Sequence, residues 1–221
     1  MPYSPRFGDH YYSRNDGRAE SRHVFLSGND LAARFAVCSS FSIGELGFGT
    51  GLNCLETVRL WQSTAPAGAT LSLTSFERYP LERDEMARAL SAWPDLAEAA
   101  TSLLEQWPEN PTLRSEIGIT FDDGITLRIL IGDAGERIAD LAKPVDAWFL
   151  DGFSPSRNPE LWSDELMRAV ASRTAAGGTC ATYSAAGWVR RNLQAAGFEV
   201  TKVPGHTGKR EMTRGWLRLD P

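Results

Sequence analysis

The densest chemical signal in the sequence is Glu45-Leu46-Gly47-Phe48-Gly49-Thr50-Gly51. It follows the apolar run FSIGEL (41–46) and precedes LNCLETVRLWQ, where Leu52, Leu55, Val58 and Trp61 recur at helical spacing. Strand, glycine turn and helix in that order make a ligand-binding corner, because glycine allows a tight turn and lets a ligand approach the backbone. The spacing Gly47-x-Gly49-x-Gly51 is near the dinucleotide fingerprint G-x-G-x-x-G without matching it. The turn also lacks the Lys-Ser/Thr of a phosphate-binding loop. An acid at its head, Glu45, suits a cationic ligand that carries no phosphate. A glycine-rich turn with no ligand is the plain alternative.

Acid-x-Gly-x-Gly-x-Gly is the pattern associated with S-adenosylmethionine in doubly wound methyltransferases, and two more acids fall where such a ligand needs them. Glu77 ends the second strand, TLSLTSFE (70–77), where a carboxylate can accept both ribose hydroxyls. Asp133, in Gly132-Asp133-Ala134, follows the run ITLRILIG and is placed to hold an adenine amino group. Each acid alone is equally a helix cap. Three at successive strand ends beside one glycine turn predict a cofactor site of Glu45, Gly47, Gly49, Gly51, Glu77, Asp133 and Asp151. The fourth strand, VDAWFLD (145–151), ends in Asp151-Gly152-Phe153-Ser154-Pro155. There Asp151 is the candidate acceptor of a hydrogen bond from an amine and Phe153 the candidate wall of a transfer site. A proline-rich loop with a helix cap is the competing reading.

These residues need a sheet to hold them. Strands alternate with helices from residue 41 to 203, which predicts a largely parallel sheet covered on both faces. Asp123-Gly124 between LRSEIGITF and ITLRILIG reads as a hairpin turn. Pro80 and Pro94 each read as opening a helix, and Gly197 closes another. FEVTKV and MTRGWLRL follow with no helix between them, so an antiparallel hairpin should end the sheet. The expected fold is α/β, doubly wound, with a mostly parallel seven-stranded sheet. Residues 1–35 are expected to form a segment or lid packed on a main domain at 36–221.

Of 221 residues, 42% are hydrophobic and 23% charged, as in ordinary globular proteins, which excludes a largely disordered chain. No apolar run is long enough to span a membrane, and the N-terminus has no apolar signal core, so a cytoplasmic protein is expected. Cys38, Cys54 and Cys180 fit neither zinc spacing nor a disulfide framework and are read as reduced, buried thiols. No metal site is expected, and His10, His23 and His206 suggest none. The net charge of −5 argues against a protein that coats nucleic acid. Yet Ser184 to Arg218 holds seven basic and two acidic residues, a segment of +5 able to hold a polyanion locally.

Several longer segments resemble one family: ELGFGTGLN (45–53), FERYPL (76–81), WFLDGFSPSRNPELW (148–162) and GGTCATYSAAGWVRRNLQAAGFEV (177–200). The opening DHYYS and HVFLSGNDLAARF and the closing GKREMTRG (208–215) extend the resemblance over nearly the whole chain. The sequence looks like the methyltransferase domain of the bacterial tRNA-modification family MnmC. That resemblance implies a class I S-adenosylmethionine-dependent fold. It also implies methyl transfer to the exocyclic amine of 5-aminomethyl-2-thiouridine at the tRNA wobble position. It further implies a stand-alone form without the family's FAD-dependent domain, and a separate protein that supplies the amine. Ser154, Ser156 and Arg157 depart from the residues the family pattern leads one to expect, without changing the inferred chemistry. On this reading Arg190, Arg191, Lys209 and Arg210 contact tRNA phosphates, although Arg190 and Arg191 cannot share one helical face, and Tyr11 and Tyr12 stack on a base or cover the cofactor, with plain packing as the alternative. The alternatives are a methyltransferase for another amine, a flavin- or nicotinamide-linked oxidoreductase, and a non-enzymatic binding module.

Overall fold

The structure is a computed structural model and describes residues 3–11, 16–122, 124–206 and 211–218. A short hairpin of β1 (Tyr3–Ser4) and β2 (Asp9–His10) leads into helix α1 (Gly17–Ser21), a π-helical turn (Arg22–Ser27) and α2 (Leu31–Phe35). The repeating part then runs β3 (Ser40–Leu46), α3 (Leu52–Thr64), β4 (Thr70–Glu77), α4 (Arg83–Leu90) and α5 (Ala97–Gln106). It continues through β5 (Glu116–Asp122), β6 (Ile125–Ile131), α6 (Ala134–Arg137), β7 (Val145–Leu150) and α7 (Asp164–Ser172). The chain closes with β8 (Thr174–Thr182), α8 (Gly187–Ala195), β9 (Phe198–Pro204) and β10 (Glu211–Leu217).

One sheet carries β3 to β10 in the order β5-β6-β4-β3-β7-β8-β10-β9. Only β5 and β10 run against the rest, as their antiparallel pairings with β6, β8 and β9 require. The sheet therefore has eight strands among the described residues rather than the expected seven. Seven of them form β6 to β9 in that order, and β5 is the addition. It pairs antiparallel with β6, and beside the turn the Asp122 side chain accepts a hydrogen bond from the Gly124 N–H (2.9 Å); Asp123 of the expected turn lies outside the described residues. The closing β9–β10 hairpin follows the expectation, with β9 outermost.

The central strands are buried on both faces, so they read as apolar runs. Ala147 and Phe149 of β7 join the core under α2, α3 and α5, while Trp148 and Leu150 join the core under α6, α7 and α8. Trp148 lies across β3 at its register partner Gly44, where a Cβ would strike the indole ring. The helical spacing read in α3 is the buried face: Leu52, Leu55, Val58 and Trp61 are 5% exposed or less. The proline expectations fare differently. Pro94 opens a single 3-10 turn before α5, but Pro80 opens nothing. Helix α4 starts later, at Arg83, because Glu82 and Glu85 form a reciprocal capping box. Chain order and pairing place the topological reversal between β3 and β7, where open α/β sheets bind ligands beyond the strand ends.

Candidate active site

Three backbone hydrogen bonds continue the sheet ladder past the strand ends. Gly47 N–H donates to Phe76 O (2.9 Å), Gly132 N–H to Glu77 O (2.9 Å) and Asp151 N–H to Leu46 O (3.1 Å). They stitch the ends of β3, β4, β6 and β7 together, so residues far apart in sequence share one rim. Above this rim lies a cavity of about 890 Å³, lined by Gly47, Gly49, Glu77, Asp133, Asp151 and Phe153 among others. Among the described residues its wall carries seven carboxyl side chains and two guanidinium groups, Arg6 and Arg78. A cavity of that size suits a small-molecule cofactor, and its charge suits a cation.

The glycine turn works as its residue types require. Gly47 has φ +89°, and a Cβ there would run into the Asp151 carbonyl oxygen. A side chain would thus force the β3 and β7 ends apart as well as strain the backbone. Gly49 (φ +56°) faces the Tyr11 ring, 3.2 Å from an added Cβ. Gly51 (φ +80°) caps α3, and a Cβ there would meet Phe48 and Leu103. It is not one of the residues lining the cavity.

Glu77 accepts from Gly49 N–H (3.0 Å) on one oxygen and from Tyr79 N–H (2.7 Å) on the other. The backbone therefore fixes the carboxylate plane at the cavity wall, with lone pairs left for hydroxyl donors. Burial pushes its pKa up, opposed by those backbone donors. Asp133 accepts from Gly135 N–H (2.9 Å) and from Arg78 (3.0 Å). It is the N-cap of α6 as well as part of the wall.

Glu45 differs from expectation. It is not on the cavity wall but beneath it, 5% exposed, between β3 and α3. Its carboxylate accepts from Ser75 Oγ (2.7 Å) and from Asn53 Nδ2 (3.0 Å), and burial pushes its pKa up to about 8. The same Asn53 Nδ2 donates to Asp151 Oδ2 (2.7 Å), and Asn53 Oδ1 accepts from Ser21 Oγ (2.6 Å). Asn53, which sequence reasoning did not single out, links the acid of the glycine motif to the acid of the β7 end.

The loop after β7 is tied in two further places. Tyr183 Oη donates to Gly152 O (2.6 Å), and Trp162 Nε1 donates to Phe153 O (3.0 Å). Burial, then the Asp151 charge, pushes the Tyr183 hydroxyl well up, so it remains a donor. Phe153 stacks on Phe7 at 4.5 Å between centroids and meets the Tyr11 ring edge at 5.3 Å. Arg157 donates to the carbonyls of Phe7 and Gly8, and Ser154 N–H donates to Asp9 (3.4 Å). The N-terminal hairpin is thereby tied to this loop, and its Asp9 and His10 are among the residues lining the cavity.

The basic residues are not gathered here. Arg190 and Arg191 lie on α8, away from the cavity wall. Tyr12, Lys209 and Arg210 fall outside the described residues. Cys38, Cys54 and Cys180 are free thiols, the last two buried. No helix among the described residues is long and apolar enough to cross a membrane.

Residues 94–218 match a family model described as S-adenosyl-L-methionine-dependent methyltransferase. Two relatives carry the name tRNA 5-methylaminomethyl-2-thiouridine biosynthesis bifunctional protein MnmC. That of Chromohalobacter salexigens is 48% identical over 100% of this chain and 32% of its own length. That of Caulobacter vibrioides is 45% identical over 98% of this chain and 36% of its own length. The chain thus spans about a third of the length of these curated relatives. Among solved structures, MnmC2 from Aquifex aeolicus superposes with a TM-score of 0.77 at 25% identity, over 97% of this chain and 66% of that one. A precorrin-6y C5,15-methyltransferase from Geobacter metallireducens, at 14% identity and a TM-score of 0.52, shares the fold. With the family model matched over more than half of its residues, the chain belongs to the S-adenosyl-L-methionine-dependent methyltransferases.

Proposed function

We propose that this chain methylates the exocyclic amine of 5-aminomethyl-2-thiouridine at the wobble position of tRNA, giving 5-methylaminomethyl-2-thiouridine. The observation that carries the reading is the similarity, continuous over 98–100% of the chain, to relatives named for the synthesis of that nucleoside. The acidic cavity supports it, since the cofactor carries a cationic sulfonium and ammonium, while the acceptor amine attacks in its neutral form.

S-Adenosylmethionine supplies an electrophilic methyl group on a sulfonium. Glu77 is assigned to its ribose hydroxyls, Asp133 to its adenine amino group, and Gly47 and Gly49 to close backbone approach. Asp151 accepts a hydrogen bond from the acceptor amine and turns its lone pair toward the methyl. Its carboxylate is also the nearest assigned station for the proton the amine gives up. Phe153 walls the transfer site and excludes water. Alignment of this kind supplies about 7 kcal/mol or more of the barrier reduction in such displacements.

Residues 1–35 act as a cover on the main domain at 36–221. The hairpin held by Arg157 and Ser154 supports this role. Arg190, Arg191, Lys209 and Arg210 contact tRNA phosphates outside the acidic cavity, and Tyr12 stacks on a base. The chain works in the cytoplasm, where its tRNA substrate is, and a separate catalytic unit makes the amine.

Calorimetric titration with S-adenosylmethionine, against nicotinamide cofactors, tests the site. Binding of S-adenosylmethionine alone, weakened in Glu77→Ala, is expected. Nicotinamide binding in its place would overturn the assignment of the glycine turn.

A further inference from the structure

Side chains from three other elements converge on one amide. Asn53 sits in the first turn of α3, directly after the Gly51 cap, and is 7% exposed. Its Nδ2 is the donor to Glu45 Oε1 (3.0 Å), from β3, and to Asp151 Oδ2 (2.7 Å), from the β7 end. Its Oδ1 is the acceptor from Ser21 Oγ (2.6 Å), on α1. The second oxygen of Glu45 is held by Ser75 Oγ (2.7 Å), on β4. An amide nitrogen has two hydrogens, and both are used on carboxyl oxygens. The reverse orientation would set Oδ1 against the Asp151 carboxylate, so the network favours Nδ2 toward the acids. A hydroxyl or an aliphatic side chain at this position could not bridge two acids in this way.

We propose that Asn53 is a positioning residue: it fixes the Asp151 carboxyl against the buried Glu45–Ser75 pair and so sets the direction from which Asp151 meets the acceptor amine. The role of Asp151 rests on the methyltransferase reading given above, whereas the positioning of its carboxyl does not. Glu45 then serves as an anchor rather than a ligand. This explains why the first acid of the glycine motif lies below the cavity wall. The raised pKa of Glu45 is consistent with an anchor that adds little negative charge beside Asp151. The remaining ties on the loop, from Tyr183 to Gly152 O and from Trp162 to Phe153 O, act on the backbone. Asn53 acts on the carboxyl group itself.

The test uses the whole chain and two variants, Asn53→Ala and the milder Ser21→Ala, which removes the donor to Asn53 Oδ1. With tRNA bearing the 5-aminomethyl group, Asn53→Ala should lower kcat on the order of 10- to 100-fold. Asn53 and Ser21 also line the cavity, and the KM for S-adenosylmethionine should change by less than kcat does. Ser21→Ala should lower kcat several-fold in the same pattern, and it keeps the test alive if Asn53→Ala does not fold. Unchanged kcat in the folded variants, or a raised KM at unchanged kcat, would overturn the proposal. Crystal structures of the cofactor-free proteins give a readout independent of the acceptor. The Asp151 carboxyl should rotate away in Asn53→Ala, or in Ser21→Ala if only that variant folds. If it keeps its wild-type place, the proposal fails. An inactive wild type with a displaced Asp151 in the variant would instead remove the functional reading and leave the positioning role standing.

Discussion

At the scale of the residue, the two central glutamates divide the work. Glu77 keeps its carboxylate at the cavity wall by taking two backbone N–H groups. Glu77→Ala should weaken S-adenosylmethionine binding by at least about 10-fold, since a hydrogen bond to a charged group contributes roughly 1.5–3 kcal/mol. Calorimetric dissociation constants check this. Glu45 is the buried partner. Its pKa in the fold, about 8, exceeds the ordinary value of 4.5, so folding favours its protonated form. That contribution to stability is complete below about pH 4.5 and is lost as pH rises through about 8. Glu45→Gln, neutral and of the same shape, should flatten the pH dependence of the unfolding free energy across that window. A wild-type slope that survives in Glu45→Gln would assign the dependence to other groups.

At the scale of the element, the strand–turn–helix corner was readable because its signal is local. Glycines between an apolar run and a helical period leave few other conformations, and positive φ at Gly47, Gly49 and Gly51 follows. Gly47→Ala should cost at least about 1–2 kcal/mol from backbone strain alone. It should also abolish cofactor binding, because the added Cβ meets the Asp151 carbonyl and separates the β3 and β7 ends. A lowered urea midpoint together with a lost calorimetric signal is the expected pair of results. What was not readable was depth. The sequence places Glu45 at a strand end, but whether a strand-end acid lies on the cavity or under it depends on which side chains reach it from other elements. Here Ser75 and Asn53 reach it. Asn53 gave no warning because an asparagine in a helix's first turn is ordinary. Its importance comes from three partners 8, 32 and 98 positions away. Helix α4 starts three residues after Pro80 for a similar reason: the Glu82–Glu85 capping box outweighs the proline signal.

At the scale of the whole molecule, charge is segregated. The cavity wall is acidic, while Ser184 to Arg218 carries +5 within a chain of net −5. An acidic pocket binds a cation but repels phosphate, so a tRNA must be held elsewhere while its modified base enters. Lys209→Ala with Arg210→Ala should weaken tRNA binding and reduce the slope of log affinity against log salt by roughly 1 to 2. An unchanged slope would move the tRNA contact to another face. The doubly wound plan and the closing hairpin were legible at this scale because strand and helix periods alternate regularly. The eighth strand adds an edge without moving the site.

The most direct test of the central claim is transfer of isotope-labelled methyl from S-adenosylmethionine to tRNA bearing 5-aminomethyl-2-thiouridine, followed by mass spectrometry of the nucleosides. Labelled 5-methylaminomethyl-2-thiouridine is the predicted product, with none formed by Asp151→Ala. Bound cofactor with no label in the wobble nucleoside, or label only in a small free amine, would contradict the account.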